Sequence, residues 1–259
     1  MFRKLALAFS LLVLALGISA TALRAQSTPE VKEKPPMYTY VSIWTIPRAQ
    51  WGEMEKANAG DTDAMAKALA GGAIVAYGHD TSLVHTADGP THDEYWSSMS
   101  MAGLLSLLEQ FYKNGSAVSP VLAASTKHFD EILVSRYYNW TSGACKGCYT
   151  HGGFYKLKAD APNDAVETLS KSLFVPLFEK LLAEGAIKEY EIDSQAIHTS
   201  EPGSFAVFYI TPTAEGLDKV NDAIREAGKN NPLISPAIGS MLDSTGHRDE
   251  LTRTDATYK

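Results

Sequence analysis

Ala186–Thr199 reads AIKEYEIDSQAIHT, and Ala73–Thr86 reads AIVAYGHDTSLVHT. Both open on Ala-Ile and place a Tyr three residues after the Ile. Both then carry Asp followed by Ser or Thr, and close on a β-branched residue with His-Thr. A second matched pair follows each copy: HFDE at His128–Glu131 and HRDE at His247–Glu250. The same motifs in the same order mark an internal duplication, and the period of each copy decides the fold.

Around the first copy, Tyr38–Ile46 (YTYVSIWTI) is β-branched and aromatic and stops at Pro47, which predicts a strand. Trp51, Met54 and Ala57 open a helix that Gly60-Asp61 is expected to break, with a second piece running to Leu69 and ending at Gly71-Gly72. Ile74–Thr86 is the next strand, with Tyr77, His79, Thr81, Leu83 and His85 on one face. Glu94–Met101 returns after the turn ADGP, Gly103–Asn114 is an amphipathic helix, and a final strand lies near Asp130–Tyr138.

The order recurs in the second half. Tyr149–Lys158 is a strand holding Gly152-Gly153, where a bulge or a close backbone approach is expected. Val166–Glu184 is a helix that Pro176 should kink or split. Ile187–Thr199 and Ser204–Thr211 pair as strands, a helix begins after Thr211-Pro212-Thr213, and the last strand lies near Glu250–Thr257. Each half therefore reads βαββαβ, a ferredoxin-like unit whose four-stranded sheet carries helices on one face only. Two such units in one chain can cover each other's bare faces. This gives an α+β fold, two tandem ferredoxin-like βαββαβ units packed sheet to sheet as an intramolecular α+β barrel.

In that element order, over Tyr38 to Lys259, the chain resembles the dimeric α+β barrel superfamily. The resemblance implies two units closed sheet to sheet with a pocket between helices and barrel. Known members include cofactor-independent monooxygenases, haem-dependent enzymes and small-molecule isomerases. None of their catalytic residues matches here. The strand Tyr38–Ile46 holds no His, unlike the His-containing stress-response subgroup.

The ends and the link complete the division. Phe2-Arg3-Lys4 followed by the apolar run Leu5–Ile18 and small residues up to Ala25 reads as a cleaved export signal, 1–25. Residues 26–37 read as a flexible Pro-rich leader. The units are then 38–140 and 149–259, with 141–148 as a linker. No later stretch is long enough to span a bilayer. Of the 23 basic residues three (Arg3, Lys4, Arg24) lie in 1–25, which leaves 20 against 30 acidic residues and argues against nucleic acid as a partner.

Candidate chemistry follows from residue type. His128 with Asp130, and His247 with Asp249, lie two apart on a strand, so a carboxylate can orient the imidazole for acid–base work or join it on a metal. Equally, these residues can satisfy turn backbone groups. His85 and His198 close the second strand of each unit, and Tyr77 and Tyr190 share its face, either toward a ligand or packed in a core. His79 occurs only in the first unit, opposite Ile192 of the second, so divergence favours a first-unit site with His79, His85, His128 and Asp130 as catalytic candidates. Trp44, Tyr77, Trp96 and Arg136 are its candidate lining, with Tyr190, His198 and His247 in the second unit.

Cys145 and Cys148 (CKGC) are expected to form a local disulfide in an exported, oxidised chain. With His151 they also space three zinc ligands without a fourth. No cofactor and no metal is assigned. The sequence supports an exported protein binding a small apolar molecule in mostly apolar pockets, in the periplasm or outside the cell. The alternatives are a cofactor-independent monooxygenase-like enzyme on an apolar or aromatic substrate, or a structural or interaction module of the cell envelope.

Overall fold

The structure is a computed structural model that describes residues 31–116, 119–232 and 234–259. The expected export signal and the start of the leader lie outside the described residues. Residues Val31–Lys259 form one compact body.

Eight antiparallel strands close into a barrel. They are β1 (Met37–Thr45), β2 (Ala76–Ser82), β3 (His92–Ser98), β4 (Lys127–Trp140), β5 (Gly143–Lys156), β6 (Glu189–Gln195), β7 (Ser204–Thr211) and β8 (Arg248–Tyr258). The order around the barrel is β1-β3-β2-β8-β5-β7-β6-β4. Each half therefore keeps the ferredoxin-like order, 4-1-3-2 and 8-5-7-6. The free edges of the two sheets pair with each other, β2 with β8 (Ala76↔Tyr258 to Ser82↔Thr252) and β4 with β6 (Leu133↔Gln195 to Trp140↔Glu189). The two sheets face one another across a lumen and are also joined at both seams, so no strand edge is left open.

The helices lie outside. In the first unit α1 (Trp51–Gly71) and α2 (Met101–Asn114) cover Tyr40, Tyr77 and Trp96 with Met65, Leu104 and Phe111. Short α3 (Pro120–Ala123) follows. In the second, α4 (Ala165–Leu169), α5 (Val175–Ala183) and α6 (Ala214–Asn230) cover Tyr190, Ile192, Val207 and Tyr209, and α7 (Ile234–Met241) leads to β8. Between α4 and α5, Ser170–Phe174 winds as a π-helix. Pro176 begins the next turn, where its missing N–H and its ring widen the ladder behind it. The helix expected to kink or split at Pro176 instead continues through this π turn, with helical backbone at Leu169, Ser170, Phe174 and Val175.

Three expectations are corrected. The break at Gly60-Asp61 does not occur, and α1 runs unbroken for 21 residues. A helix-interior glycine costs about 1 kcal/mol. Burial of Met54 on one side of it and Met65 on the other outweighs that. Residues 141–148 are not a linker, because β5 begins at Gly143 and the cysteines lie inside it. Gly147 makes a bulge between the register pairs Lys146↔Asp255 and Cys148↔Thr254, at φ +65°, and donates its N–H to Asp255 Oδ1 at 2.6 Å. Cys145 and Cys148 form a disulfide across that bulge, buried with Ala76, Ile210, Ala256 and Tyr258. The leader is not free over residues 31–36. Lys34 donates its N–H to the Arg136 carbonyl at 2.9 Å, and the Tyr138 hydroxyl donates to the Pro35 carbonyl at 2.9 Å. At Gly152-Gly153 the ladder is regular, and a Cβ on Gly152 would meet the Phe208 ring at 2.8 Å, so the close approach is what that glycine serves.

The duplication has a packing reason. Gly103, third residue of α2, lies against the Ala73 carbonyl and the Ser98 side chain, and Gly216, third residue of α6, lies against the Ala186 carbonyl and Thr211. Ala73 and Ala186 are the first residues of the repeated stretch. A Cβ on Gly216 would sit 2.7 Å from that carbonyl, which is backbone and cannot yield.

Gly216→Ala and Gly103→Ala are therefore expected to destabilise by about 1–3 kcal/mol, although alanine is the better helix former. Urea unfolding of each variant checks this, and a gain in stability would refute the packing reason. Reducing the disulfide closes no long loop in reverse, so it should cost about 2 kcal/mol on the chain-entropy relation. A thermal melt with and without reductant reads it as a midpoint lower by about 4–8 °C.

Candidate functional site

Between α1 and the outer face of the barrel lies a cleft of about 570 Å3. Its roof is Glu55, Asn58, Ala59 and Thr62, one face of α1. Its floor crosses the β2–β8 seam, with Tyr77, His79 and Thr81 from one strand and Arg253, Asp255 and Thr257 from the other. The cleft exists because α1 turns small and polar residues toward the sheet here, where Met54 and Met65 fill the space at either side.

His79 is the titratable centre of the floor. Thr62 Oγ1 donates to the Asn58 carbonyl at 2.8 Å, so it accepts from His79 Nε2 at 3.2 Å. The Nε2 proton leaves the lone pair on Nδ1, a buried atom that no protein group contacts by hydrogen bond. Burial lowers the His79 pKa to about 4, with Asp255 pulling the other way, so the ring is neutral at pH 7. Its cross-strand partner on the same face is Glu94. Burial first, and then the Asp61 carboxylate, push Glu94 up to about 8, and its Oε1 has no partner. The usual order of proton affinities is inverted: the carboxyl holds the proton and the imidazole does not.

The second unit differs at the matching position. Ile192 takes the place of His79 and is buried in a continuous core with Phe178, Val207 and Val220. The difference between the two copies of the repeat is the difference between a cleft and a core.

Of the other expected residues, Tyr77 lines the cleft and also packs against the first core. The rest lie elsewhere. Trp96 is 1% exposed, stacks on Tyr40 and donates Nε1 to the Leu104 carbonyl at 3.0 Å, so it is core rather than lining. Tyr190 is likewise core, its hydroxyl donating to Glu179 at 2.6 Å. Trp44 packs with Ile46, Met54 and Val121 and stacks on His128 at 5.2 Å. His128 Nε2 is 3.5 Å from Asp130, which accepts from Ser42 at 2.6 Å, at an exposed position away from His79. His85 is in the exposed turn beyond β2, edge-on to Trp51, and His198 is in the exposed turn beyond β6. Arg136 pairs with Glu33 at 3.6 Å and holds the leader. His247 joins Asp249 at 3.2 Å, and His151 approaches the same carboxylate at 3.6 Å. The disulfide removes both cysteines as zinc ligands beside His151.

The lumen has mainly apolar walls, as expected of the pockets, but a set of carboxylates stands among them. It encloses about 80 Å3, room for a handful of waters. Glu189, Glu191 and Asp193 project into it from β6, and Asp80, Asp93 and Glu250 from β2, β3 and β8. Glu131 joins them from β4, and no basic residue lines it. Burial is the first cause that raises each of Asp93, Glu189 and Asp193 well above the carboxylate range, Asp80 to about 6 and Glu191 to about 7. The sequence carried the signal: E-Y-E-I-D alternates acid with apolar, so one strand face is all acid.

No protein-family model and no curated protein matches the sequence. Solved structures match its shape. A protein of Lactobacillus acidophilus, provisionally named a monooxygenase, gives a TM-score of 0.59 at 11% identity, over 87% of this chain and 97% of its own. One of Fusobacterium nucleatum, named in the same way, gives 0.59 at 9% identity, over 87% and 95%. An anthrone oxidase-like protein gives 0.53 at 9% identity, over 87% and 94%. At these identities the likeness is one of fold. The chain has the fold of the dimeric α+β barrel superfamily, with both ferredoxin-like units in one polypeptide.

Proposed function

We propose that the chain binds a small organic molecule in the α1 cleft and acts on it as a monooxygenase-like enzyme, with His79 as the base. The observation that carries this reading is a neutral imidazole on the floor of a 570 Å3 cleft, its Nδ1 buried just beneath that floor and without a hydrogen-bond partner. That volume is in the range of ligand pockets, roughly 300–1,000 Å3. The fold neighbours named as monooxygenases and as an anthrone oxidase-like protein support the reaction class. The small volume of the lumen supports a substrate site outside the barrel. Export to an oxidising compartment is part of the same reading and is supported by the disulfide.

The substrate this chemistry needs is a methylene acidified by a neighbouring carbonyl or aromatic system. His79 Nδ1 takes a proton from that carbon after a small turn of its ring. The carbanion adds dioxygen, the peroxide takes a proton back, and loss of water leaves a carbonyl. One CH2 and one O2 give one C=O and one H2O.

Oxygen uptake with anthrone as the probe tests this, with one O2 consumed per quinone formed. Replacing a general base lowers rate about 10²–10⁴-fold. His79→Ile, which installs the second unit's own residue, should lose uptake by at least the lower figure while keeping its melting temperature. Equal uptake by the variant, or none by the native protein, would sink the enzymatic reading, and anthrone binding without uptake would leave a binding protein.

The pH profile follows from the His79 shift. A base of pKa about 4 is unprotonated above that value, so kcat/KM should stay flat from pH 7 down to about 5 and fall only toward 4. A fall centred near the ordinary imidazole pKa of about 6.5 would point to a different base.

A further inference from the structure

The repeat places one tyrosine at the same point in each half, Tyr77 and Tyr190, two residues before His79 and Ile192. Both rings are buried, but their hydroxyls meet different ends. The Tyr190 hydroxyl donates to Glu179 of α5 at 2.6 Å. The amide of Asn139, its neighbour across the seam on β4, donates to both oxygens of that carboxylate at 2.9 and 3.1 Å. That network is closed beneath α5. The Tyr77 hydroxyl bonds to no protein group among the described residues, and unlike His79 Nδ1 it is not sealed from solvent.

The two helices that lead into the repeat explain the difference. They end on the same cap, with Ala73 donating its N–H to the Ala68 carbonyl at 3.0 Å and Ala186 to that of Leu181 at 2.9 Å. Counted back from those paired alanines, Ala66 of α1 stands where α5 carries Glu179. Across the seam the neighbour of Tyr77 is Thr257, which lines the cleft. The acid that holds Tyr190 and the amide that holds the acid are both missing around Tyr77. A buried tyrosine hydroxyl normally finds a partner inside the protein. Tyr77 is 7% exposed, with its ring fixed among Met65, Trp96 and Leu104, and its hydroxyl is left to the cleft it lines.

The same strand face carries the base. Tyr77 and His79 stand two residues apart, about 6.5–7 Å along β2. Taking a proton from a methylene leaves negative charge, which a conjugated carbonyl draws onto its oxygen. A donor already fixed at that oxygen stabilises the charge without reorganising. We propose, on the reading that His79 takes a proton in this cleft, that Tyr77 donates its hydroxyl hydrogen to that oxygen. The substrate is then a ketone conjugated to the reacting methylene, and a hydrocarbon without the carbonyl would gain nothing from Tyr77. Other donors suit the role less. Arg253 is drawn over the Tyr149 ring at 5.2 Å, on the side of β8 away from β2. Thr81, at the same spacing beyond His79, is only half-buried.

Oxygen uptake with anthrone tests the role in turnover. Tyr77→Phe should lower kcat about 10²-fold with KM unchanged, as loss of a contact made only in the transition state does. Its melting midpoint should stay the same, since the lost hydroxyl holds no part of the fold. Ala66→Glu, which installs the second unit's acid beside the hydroxyl, should lower kcat too. Tyr190→Phe should do the reverse, keeping kcat and losing about 2–4 °C of melting midpoint. Infrared difference spectra of bound anthraquinone read the same hydrogen bond without turnover. The carbonyl stretch should lie lower on the native protein and on His79→Ile than on Tyr77→Phe. Unchanged kcat in Tyr77→Phe, an unshifted band, or no binding of anthraquinone would overturn the proposal. No uptake by the native protein, with a band shift that Tyr77→Phe still abolishes, would sink the oxidation and keep Tyr77 as the ketone's donor.

Discussion

The two seams, β2 on β8 and β4 on β6, are the constraint on which the rest of the molecule depends. An isolated ferredoxin-like sheet has two open edges and one bare face, and each is a liability in water. Pairing edge to edge satisfies the backbone of four outer strands at once and turns both bare faces inward. The helices are thereby forced outside, and every outward side chain must find its partners beneath them. Because the first seam runs under α1, the floor of the cleft is shared by the first unit's second strand and the second unit's last.

The inner face shows the opposite of what burial alone would select. Seven carboxylates line a space that holds a few waters, and burial raises the proton affinity of every one that shifts. Burying an ionised carboxylate without a partner costs several kcal/mol, so such groups neutralise instead. A barrel filled with valine and isoleucine would be more stable. The inner face is thus the one place where the rule that buried positions take apolar residues is broken repeatedly among the described residues.

Much of the architecture was legible in the repeat, because period-two alternation and helical stripes are local, and the duplication doubled each signal. His79 set against Ile192 marked the one position in the repeat where a cleft-lining residue faces a core residue. What stayed hidden had physical causes. CKGC read as a linker because glycine and a short cysteine spacing mimic a turn, whereas Gly147 makes a bulge inside a 14-residue strand. Trp96 and Tyr190 looked like lining because aromatic residues serve cores and pockets alike, and only the helix packed above decides. The acidic face was present in plain alternation. A reading that asks where the hydrophobic face points passes over the other one, and in a closed barrel that other face is also interior.

Joining the two units in one polypeptide also frees them from symmetry. Two identical chains around a two-fold axis must carry every substitution twice, so an imidazole under one helix would appear under both, and each barrel would hold two clefts or none. Here the positions of His79 and Ile192 mutate independently. In one half the outer face is packed on a continuous, largely aromatic core. The other is released to accept a helix rich in small residues and an unfilled space beneath it. The asymmetry of this molecule is one that two identical chains around a two-fold axis cannot have.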